Sequence, residues 1–335
     1  MSSNGSEDND QQCGGSGGIT SSKKVCTSCE QNNTDAITED IDSVAMDDLS
    51  ACANCGKEGN SDDMNTCNKC KMVKYCNAAC KKKHRTKHKK KCERRAAELH
   101  DEQLFKEVKP EECPICFQPM PLEADQVSFK SCCGKTICNG CIYAMIMSEG
   151  KDLCAFCRTP RAANSEDDIK RTKKLMDKGN SEAFHQLAGL YAQGIMGIPQ
   201  DYQKANELLL KAGELGCSKG YHNLGISYDQ GRGVEVDKKK AKYYFELAAM
   251  AGYVWARHNL GCEEFGDGNE DRAYKHFIIA ARAGYEKSLD AVKLGYENGI
   301  VTKDEHASLL RAYQKSNDEM KSDARDKATA SGLFY

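Results

Sequence analysis

The sequence predicts a mainly α-helical chain: an α-solenoid of helix-hairpin repeats, preceded by two small cysteine-rich modules and a disordered N-terminal tail. Three observations predict it. From about Asn180 a pattern of Leu, Tyr, Ala and Gly recurs, its alanines 32 to 36 residues apart. Fifteen of the twenty cysteines lie between Cys52 and Cys157, in short-spaced pairs. Residues 1–50 are dominated by Ser, Asn, Gly, Asp and Glu.

The tail comes first. Ten acidic residues there oppose two lysines, and apolar side chains are too sparse to offset the entropy lost on ordering, so residues 1–50 are predicted to be disordered. Cys26 and Cys29 form one C-x2-C pair with Cys13 upstream. With no histidine and no second pair beside them, they read as free thiols.

Residues 51–92 hold Cys52-x2-Cys55, Cys67-x2-Cys70, Cys76-x3-Cys80 and His88-x3-Cys92. Zinc takes four soft or borderline donors in a tetrahedron, and one tight C-x2-C turn supplies two thiolates, so four such pairs predict two closed structural sites. The spacing resembles the MYND zinc finger from Cys52 to Cys92. That resemblance implies cross-braced pairing, with Cys52, Cys55, Cys76 and Cys80 on one ion and Cys67, Cys70, His88 and Cys92 on the other. The family's peptide groove uses a glutamine after the sixth ligand and a tryptophan before the histidine, where this chain has Lys81 and Arg85. In place of the groove stands a cationic run, Lys81 to Lys91, read as a solvated helix face that offsets the negative thiolate cluster. No aromatic residue is interleaved with the lysines, which argues against a nucleic-acid partner. His84 reads as a solvated spare donor.

Residues 93–110 form the predicted helical linker. Ala96, Ala97, Leu99, Leu104 and Phe105 suit a packed helix, and Val108-Lys109-Pro110 ends it.

Residues 111–161 carry the second array: Cys113-x2-Cys116, Cys132-Cys133, Cys138-x2-Cys141 and Cys154-x2-Cys157. Order and loop lengths resemble a RING finger of the all-cysteine variety. The resemblance implies one site from Cys113, Cys116, Cys138 and Cys141 and another from Cys132, Cys133, Cys154 and Cys157. Cys132 and Cys133 are adjacent where the family has one residue between ligands, so both reach one ion only if the backbone kinks there. With eight donors per module, no position is left open for a metal-bound water, and no catalytic residue is assigned. Four Zn2+ ions are predicted, and their binding energy supplies folding energy to loops too short to bury a core.

By the same resemblance this module docks a ubiquitin-conjugating enzyme. The contacts implied are Ile115 between the first two ligands, a helical patch near Ile142 to Met147, and the cation Arg158 after the last ligand. The family's proline between the final ligands is Ala155 here. Two functions stay open: a ubiquitin ligase acting without a covalent intermediate, and a non-enzymatic adaptor or scaffold, of the kind found in transcription complexes, in which Ile115 is a core residue and Arg158 a surface charge.

The repeats occupy residues 165–316. Leu187, Tyr191 and Gly194 recur as Leu224, Tyr228 and Gly231, as Leu260 and Glu264, and as Val292, Tyr296 and Gly299. Ala205, Ala241, Ala273 and Ala307 mark the second half of each unit. A period of this length, with small residues at helical spacing and glycines at the turns, predicts stacked helix pairs. The pattern resembles the Sel-1-like repeat, a relative of the tetratricopeptide repeat. The third unit lacks the glycine-rich turn and the tyrosine, which shortens its hairpin. Asp167 to Lys178 is predicted as a capping helix, and 317–335 as a flexible tail. The concave face, built by the first helix of each pair, is the place for a protein partner. Cys217 and Cys262 read as single thiols without nearby donors.

Charge and hydropathy bound the rest. The 335 residues are 29% charged with a formal net charge of −2, and no apolar run approaches the about eighteen residues of a membrane-spanning helix. Met1 to Thr20 is polar, unlike a secretory leader, which points to the reducing cytosol or nucleus, where thiols stay available to zinc.

Overall fold

The computed structural model describes residues 51–59, 63–149 and 153–334. The acidic segment 1–50, with Cys13, Cys26 and Cys29, lies outside the described residues. The chain divides into two compact units at the junction of Gln103 and Leu104.

In the N-terminal unit, strand β1 (Asn65–Thr66) pairs antiparallel with β2 (Lys74–Tyr75), with Asn65 opposite Tyr75. Helix α1 (Ala78–Leu104) follows. Asn77 caps it, its side-chain oxygen accepting from the Cys80 N–H at 2.9 Å. The core is made of cysteines around one aromatic ring: Cys52, Cys67, Cys70 and Cys92 are buried with Tyr75, which is 1% exposed. Helix α1 is therefore one element across the cationic run and the predicted linker. It stops at Leu104, and 105–110 are non-helical.

The C-terminal unit opens with a second small module. After a 3-10 turn at Ala124–Gln126, strands β3 (Val127–Lys130) and β4 (Lys135–Cys138) form a hairpin, and helix α2 (Asn139–Glu149) packs beside it. Asn139 ties these together by donating to the Asp125 carbonyl at 2.6 Å and accepting from Ser128 Oγ at 2.7 Å.

The rest is helical. Helix α3 (Ser165–Asp177) packs against the first helix of the stack. Four helix pairs follow: α4 (Ser181–Gln193) with α5 (Tyr202–Glu214), α6 (Ser218–Gln230) with α7 (Lys238–Met250), α8 (Val254–Gly266) with α9 (Glu270–Arg282), and α10 (Glu286–Glu297) with α11 (Lys303–Met320). The repeated residues explain the geometry. Asn180, Asp201 and Asp237 accept from the third backbone N–H of their helices, and Gly194 and Gly231 end theirs in the left-handed conformation. Ala205, Ala241 and Ala273 are 1% exposed or less, so the paired helices meet at small side chains. At Gly225 the fit is closer still, since a Cβ there would stand 2.6 Å from the Phe245 ring. The third hairpin is the short one, with only 267–269 between α8 and α9.

Segment 104–110 docks on this stack rather than crossing open space. Leu104 is fully buried among Ala241, Phe245 and Leu260, and the Phe105 ring packs at a tilt against His276, centroids 4.7 Å apart. Arg257, 2% exposed, donates to the Leu104 and Lys106 carbonyls at 2.6 and 2.7 Å.

The chain end differs from the prediction of a flexible tail at 317–335. Helix α11 continues to Met320, and a further helix, α12 (Asp323–Ala330), packs on α2. Arg325 and Ala328 of α12 are buried. Gly140 permits the contact, since a Cβ there would lie 2.8 Å from the Arg325 backbone nitrogen. The segment's polar composition hides this, because its burial depends on one arginine and one alanine meeting a distant glycine.

Candidate metal centres

Four of the C-x2-C pairs close the same small loop, while Cys138-x2-Cys141 runs from the end of β4 into α2. In Cys52 to Gly56, Cys67 to Lys71, Cys113 to Phe117 and Cys154 to Arg158, the N–H of the fifth residue donates to the carbonyl of the first, at 2.8 to 3.0 Å. That fifth residue has positive φ in all four, at 71°, 57°, 58° and 60°. Three are not glycine, so the loops hold a left-handed conformation at side-chain-bearing residues, which needs outside support. Both sulfurs of each loop then face the same point.

The loops converge in interleaved order. Cys52, Cys55, Cys76 and Cys80 bring four sulfurs within 4.8 Å of one another, and Cys67, Cys70, His88 and Cys92 do so with three sulfurs and a ring nitrogen. Cys113, Cys116, Cys138 and Cys141 form the third group, and Cys132, Cys133, Cys154 and Cys157 the fourth. Individual sulfur separations are 3.7 Å for Cys55–Cys76, 3.6 Å for Cys76–Cys80, 3.7 Å for Cys67–Cys92, 3.9 Å for Cys113–Cys141 and Cys116–Cys138, and 4.0 Å for Cys133–Cys154. These are far too long for disulfides. They match the edge of about 3.8 Å that four sulfurs make around zinc at 2.3 Å. His88 offers Nε2, 3.2 Å from Cys70 Sγ.

The kink required at Cys132 and Cys133 is present. Both lie in the turn of the β3–β4 hairpin, where the Cys133 and Gly134 N–H groups bond the Lys130 carbonyl and Gly134 has φ of 70°. Cys132 Sγ stands 3.4 Å from Cys157 Sγ.

Charge also fits a dication. The thiols of each group separate: a hydrogen bond to the Cys76 backbone N–H draws Cys52 down to about 6, while the bond Cys76 shares with Cys52 pushes Cys76 up to about 12. Burial pushes Cys92 up to about 12; against burial, the Cys70 backbone N–H brings Cys67 down to about 6. Burial and the Cys157 hydrogen bond push Cys132 upward. Four crowded thiols do not all ionise unaided, and a bound dication is what allows it. With four donors to an ion the sites are closed, suited to holding loops and not to activating water.

His84 is not a solvated bystander. It stacks on His88, centroids 5.7 Å apart, and its Nδ1 meets the Tyr75 hydroxyl at 3.2 Å, so it orients the ligand ring without joining the donor group.

The predicted docking residues of the second module fall into two sets. Ile115 is half-buried against the module core, and Arg158 is exposed. Of the helical patch, Ile142, Met145 and Ile146 are buried in that core together with Cys113, Ile137 and Cys138, leaving Met147 exposed. Phe156, between the last two ligands, is also exposed, and Ala155 packs against the core.

On the solenoid, a groove of about 400 Å³ is lined by residues of α4, α5, α6, α8 and α10, with Trp255 of α8 and the preceding caps Tyr253 and Tyr285 on its wall. Polar rungs link successive first helices: His185 Nε2 to Asn223 at 3.1 Å, His222 Nε2 to Asn259 at 3.2 Å, and His258 Nδ1 to Ser288 at 2.9 Å. The repeat period carries these rungs, since His222 and His258 are one unit apart. Cys217 has donors beside it that its sequence neighbourhood does not reveal, Glu182 at 3.5 Å and His185 in the same cluster. Lys219 pairs with Glu182 at 3.3 Å and balances its charge. Burial and Glu182 push the Cys217 thiol up to about 12, so it is protonated and unreactive.

Comparison with known proteins agrees with the sequence pattern in two regions. The MYND-finger model matches residues 52–92, and the Sel1-repeat model matches 181–217, 218–253, 256–285 and 290–309. A putative sel1-like repeat-containing protein of Acanthamoeba polyphaga mimivirus is 33% identical over 64 residues, 19% of this chain and 12% of that one. An ERAD-associated E3 ubiquitin-protein ligase component of Arabidopsis thaliana, HRD3B, is 33% identical over 99 residues, 29% of this chain and 15% of that one. The chain thus spans less than a sixth of either relative. Among solved structures, a Sel1 repeat protein from Oxalobacter formigenes shares 26% identity, with a TM-score of 0.39 over 49% of this chain and 64% of that one. The chain carries a zinc-binding MYND finger at 52–92 and Sel1 repeats across 181–309, a combination of protein-interaction modules on a mainly helical framework.

Proposed function

We propose that the chain is a zinc-stabilised adaptor that holds a protein on its Sel1 repeats and recruits a ubiquitin-conjugating enzyme through its second module, acting as a RING-type ubiquitin ligase. The carrying observation is the interleaved pairing of Cys113, Cys116, Cys138 and Cys141 against Cys132, Cys133, Cys154 and Cys157, the cross-brace on which such docking surfaces are built. Four zinc ions fill the four closed groups. The docking edge is Ile115, Phe156 and Arg158, and the recruited enzyme supplies the reacting thioester. No residue of this chain forms a covalent intermediate. Binding a substrate in the solenoid groove raises its effective concentration at that thioester. The name of the Arabidopsis relative supports a ubiquitin-pathway setting for the repeats. Thiolate ligands suit a reducing compartment, the cytosol or nucleus.

Discharge of a ubiquitin-loaded conjugating enzyme tests this reading. Wild type accelerates discharge, and Ile115→Ala and Arg158→Ala abolish the acceleration while retaining zinc. Variants that match wild type would contradict it. Burial of Ile142, Met145 and Ile146 favours a second reading, a non-enzymatic scaffold, because it removes most of the helical docking patch. That reading holds if wild type leaves a broad enzyme panel unaccelerated and captures stable stoichiometric partners instead.

A further inference from the structure

Arg325 on α12 is 6% exposed, and among the described residues no carboxylate pairs with it. Its guanidinium donates to the Pro119 carbonyl at 2.8 Å, to the Met320 carbonyl, and to Cys116 Sγ at 3.5 Å, while its Nε has no partner. Asp125 lines the same crevice and forms no ion pair among the described residues. A guanidinium stays charged, and burying a charge without a counter-charge is strongly unfavourable. Two carbonyl dipoles do not neutralise it.

The counter-charge at contact distance is the sulfur group of Cys113, Cys116, Cys138 and Cys141. Four thiolates around one dication carry a surplus of negative charge, whereas four protonated thiols carry none. We infer that Arg325 is the counter-ion of the metal-filled thiolate group, and that α12 is a metal-dependent part of the second module. This rests on the proposed zinc occupancy of that group. The surrounding packing is built for such a clasp. Gly140 lets the α12 backbone approach α2, Ala328 is buried, and Phe334 packs against the module core beyond the helix. Metal loss then removes the charge that justifies burying Arg325, and the C-terminal helix detaches. Through this link the metal state of one site controls the exposure of the chain's last helix.

The test uses full-length protein. Zinc per chain and its release to a chelator are followed by native mass spectrometry, and protection of 323–334 by hydrogen exchange. Arg325→Met should weaken one ion of the four by roughly 10–100-fold, as loss of a partner to a ligand does. Arg325→Lys, which keeps the charge, should restore most of that loss. Removing zinc should raise exchange at 323–334 while 181–309 stays protected. Four ions released at wild-type rates from Arg325→Met, or a C-terminal helix equally protected with and without zinc, would overturn the inference. Should Arg325→Met not fold, Cys138→Ser with Cys141→Ser supplies the second route: unchanged protection of 323–334 there overturns it as well. A wild type holding only two ions would instead remove the occupancy on which the inference rests.

Discussion

The cysteine-rich modules and the repeat stack solve the same problem with different cores. At 52–92 the buried centre is cysteine around a single tyrosine, with strands only two residues long. In the repeats it is alanine, leucine and phenylalanine from adjoining helices. Small loops cannot bury enough apolar surface to hold a fold, so on the proposed zinc occupancy the modules would draw their stability from bound cations, while the stack gains stability from each neighbouring pair. Stability in one region should therefore be removable without the other.

Chelation makes the largest break. Removing zinc should abolish hydrogen-exchange protection at 52–92 and 113–157 and leave 181–309 protected, with most helical circular dichroism retained. Uniform loss across the chain would mean that the repeats also depend on metal. The converse break is Leu260→Ala, at a fully buried site in α8. It should cost the repeats about 2–5 kcal/mol by denaturant unfolding and leave zinc content unchanged. Gly225→Ala sets a Cβ against the Phe245 ring and should cost about 1–3 kcal/mol by the same measurement.

The smallest effect concerns His276, which is fully buried with neither ring nitrogen partnered among the described residues. Burial, with Arg257 and Arg272 nearby, holds it down to about 3. The unfolded chain takes up the proton first, near the ordinary histidine value of about 6.5. Repeat stability is therefore complete above that pH and falls as pH drops toward 3, by at most about 1.4 kcal/mol per unit. His276→Leu should remove this slope and gain about 1 kcal/mol at neutral pH, checked by thermal unfolding between pH 7.5 and 5.5. An unchanged slope would place the titration elsewhere.

What the sequence made legible follows the same division. Ligand spacing is local, so the pairs read directly, and the repeat period placed Leu187, Leu224, Leu260 and Val292 in the core, where each is 3% exposed or less. The short third hairpin was visible from its missing glycines. Contacts between distant segments were not visible. Nothing near Arg325 announces Cys116, 209 residues away, and nothing near Cys217 announces Glu182. His84 looked like a solvated donor because its partners Tyr75 and His88 come together only on folding. The docking patch on α2 illustrates the other limit, since apolar residues at helical spacing do not say which of them a small module keeps for its own core.

Native mass spectrometry of the intact chain, which counts bound zinc directly, tests the central claim of two cross-braced modules with closed four-donor sites. Four ions per chain, all lost when the thiols are alkylated after chelation, is the predicted result. Two ions, with Cys113→Ser leaving the count unchanged, would show that the second module is not a zinc fold.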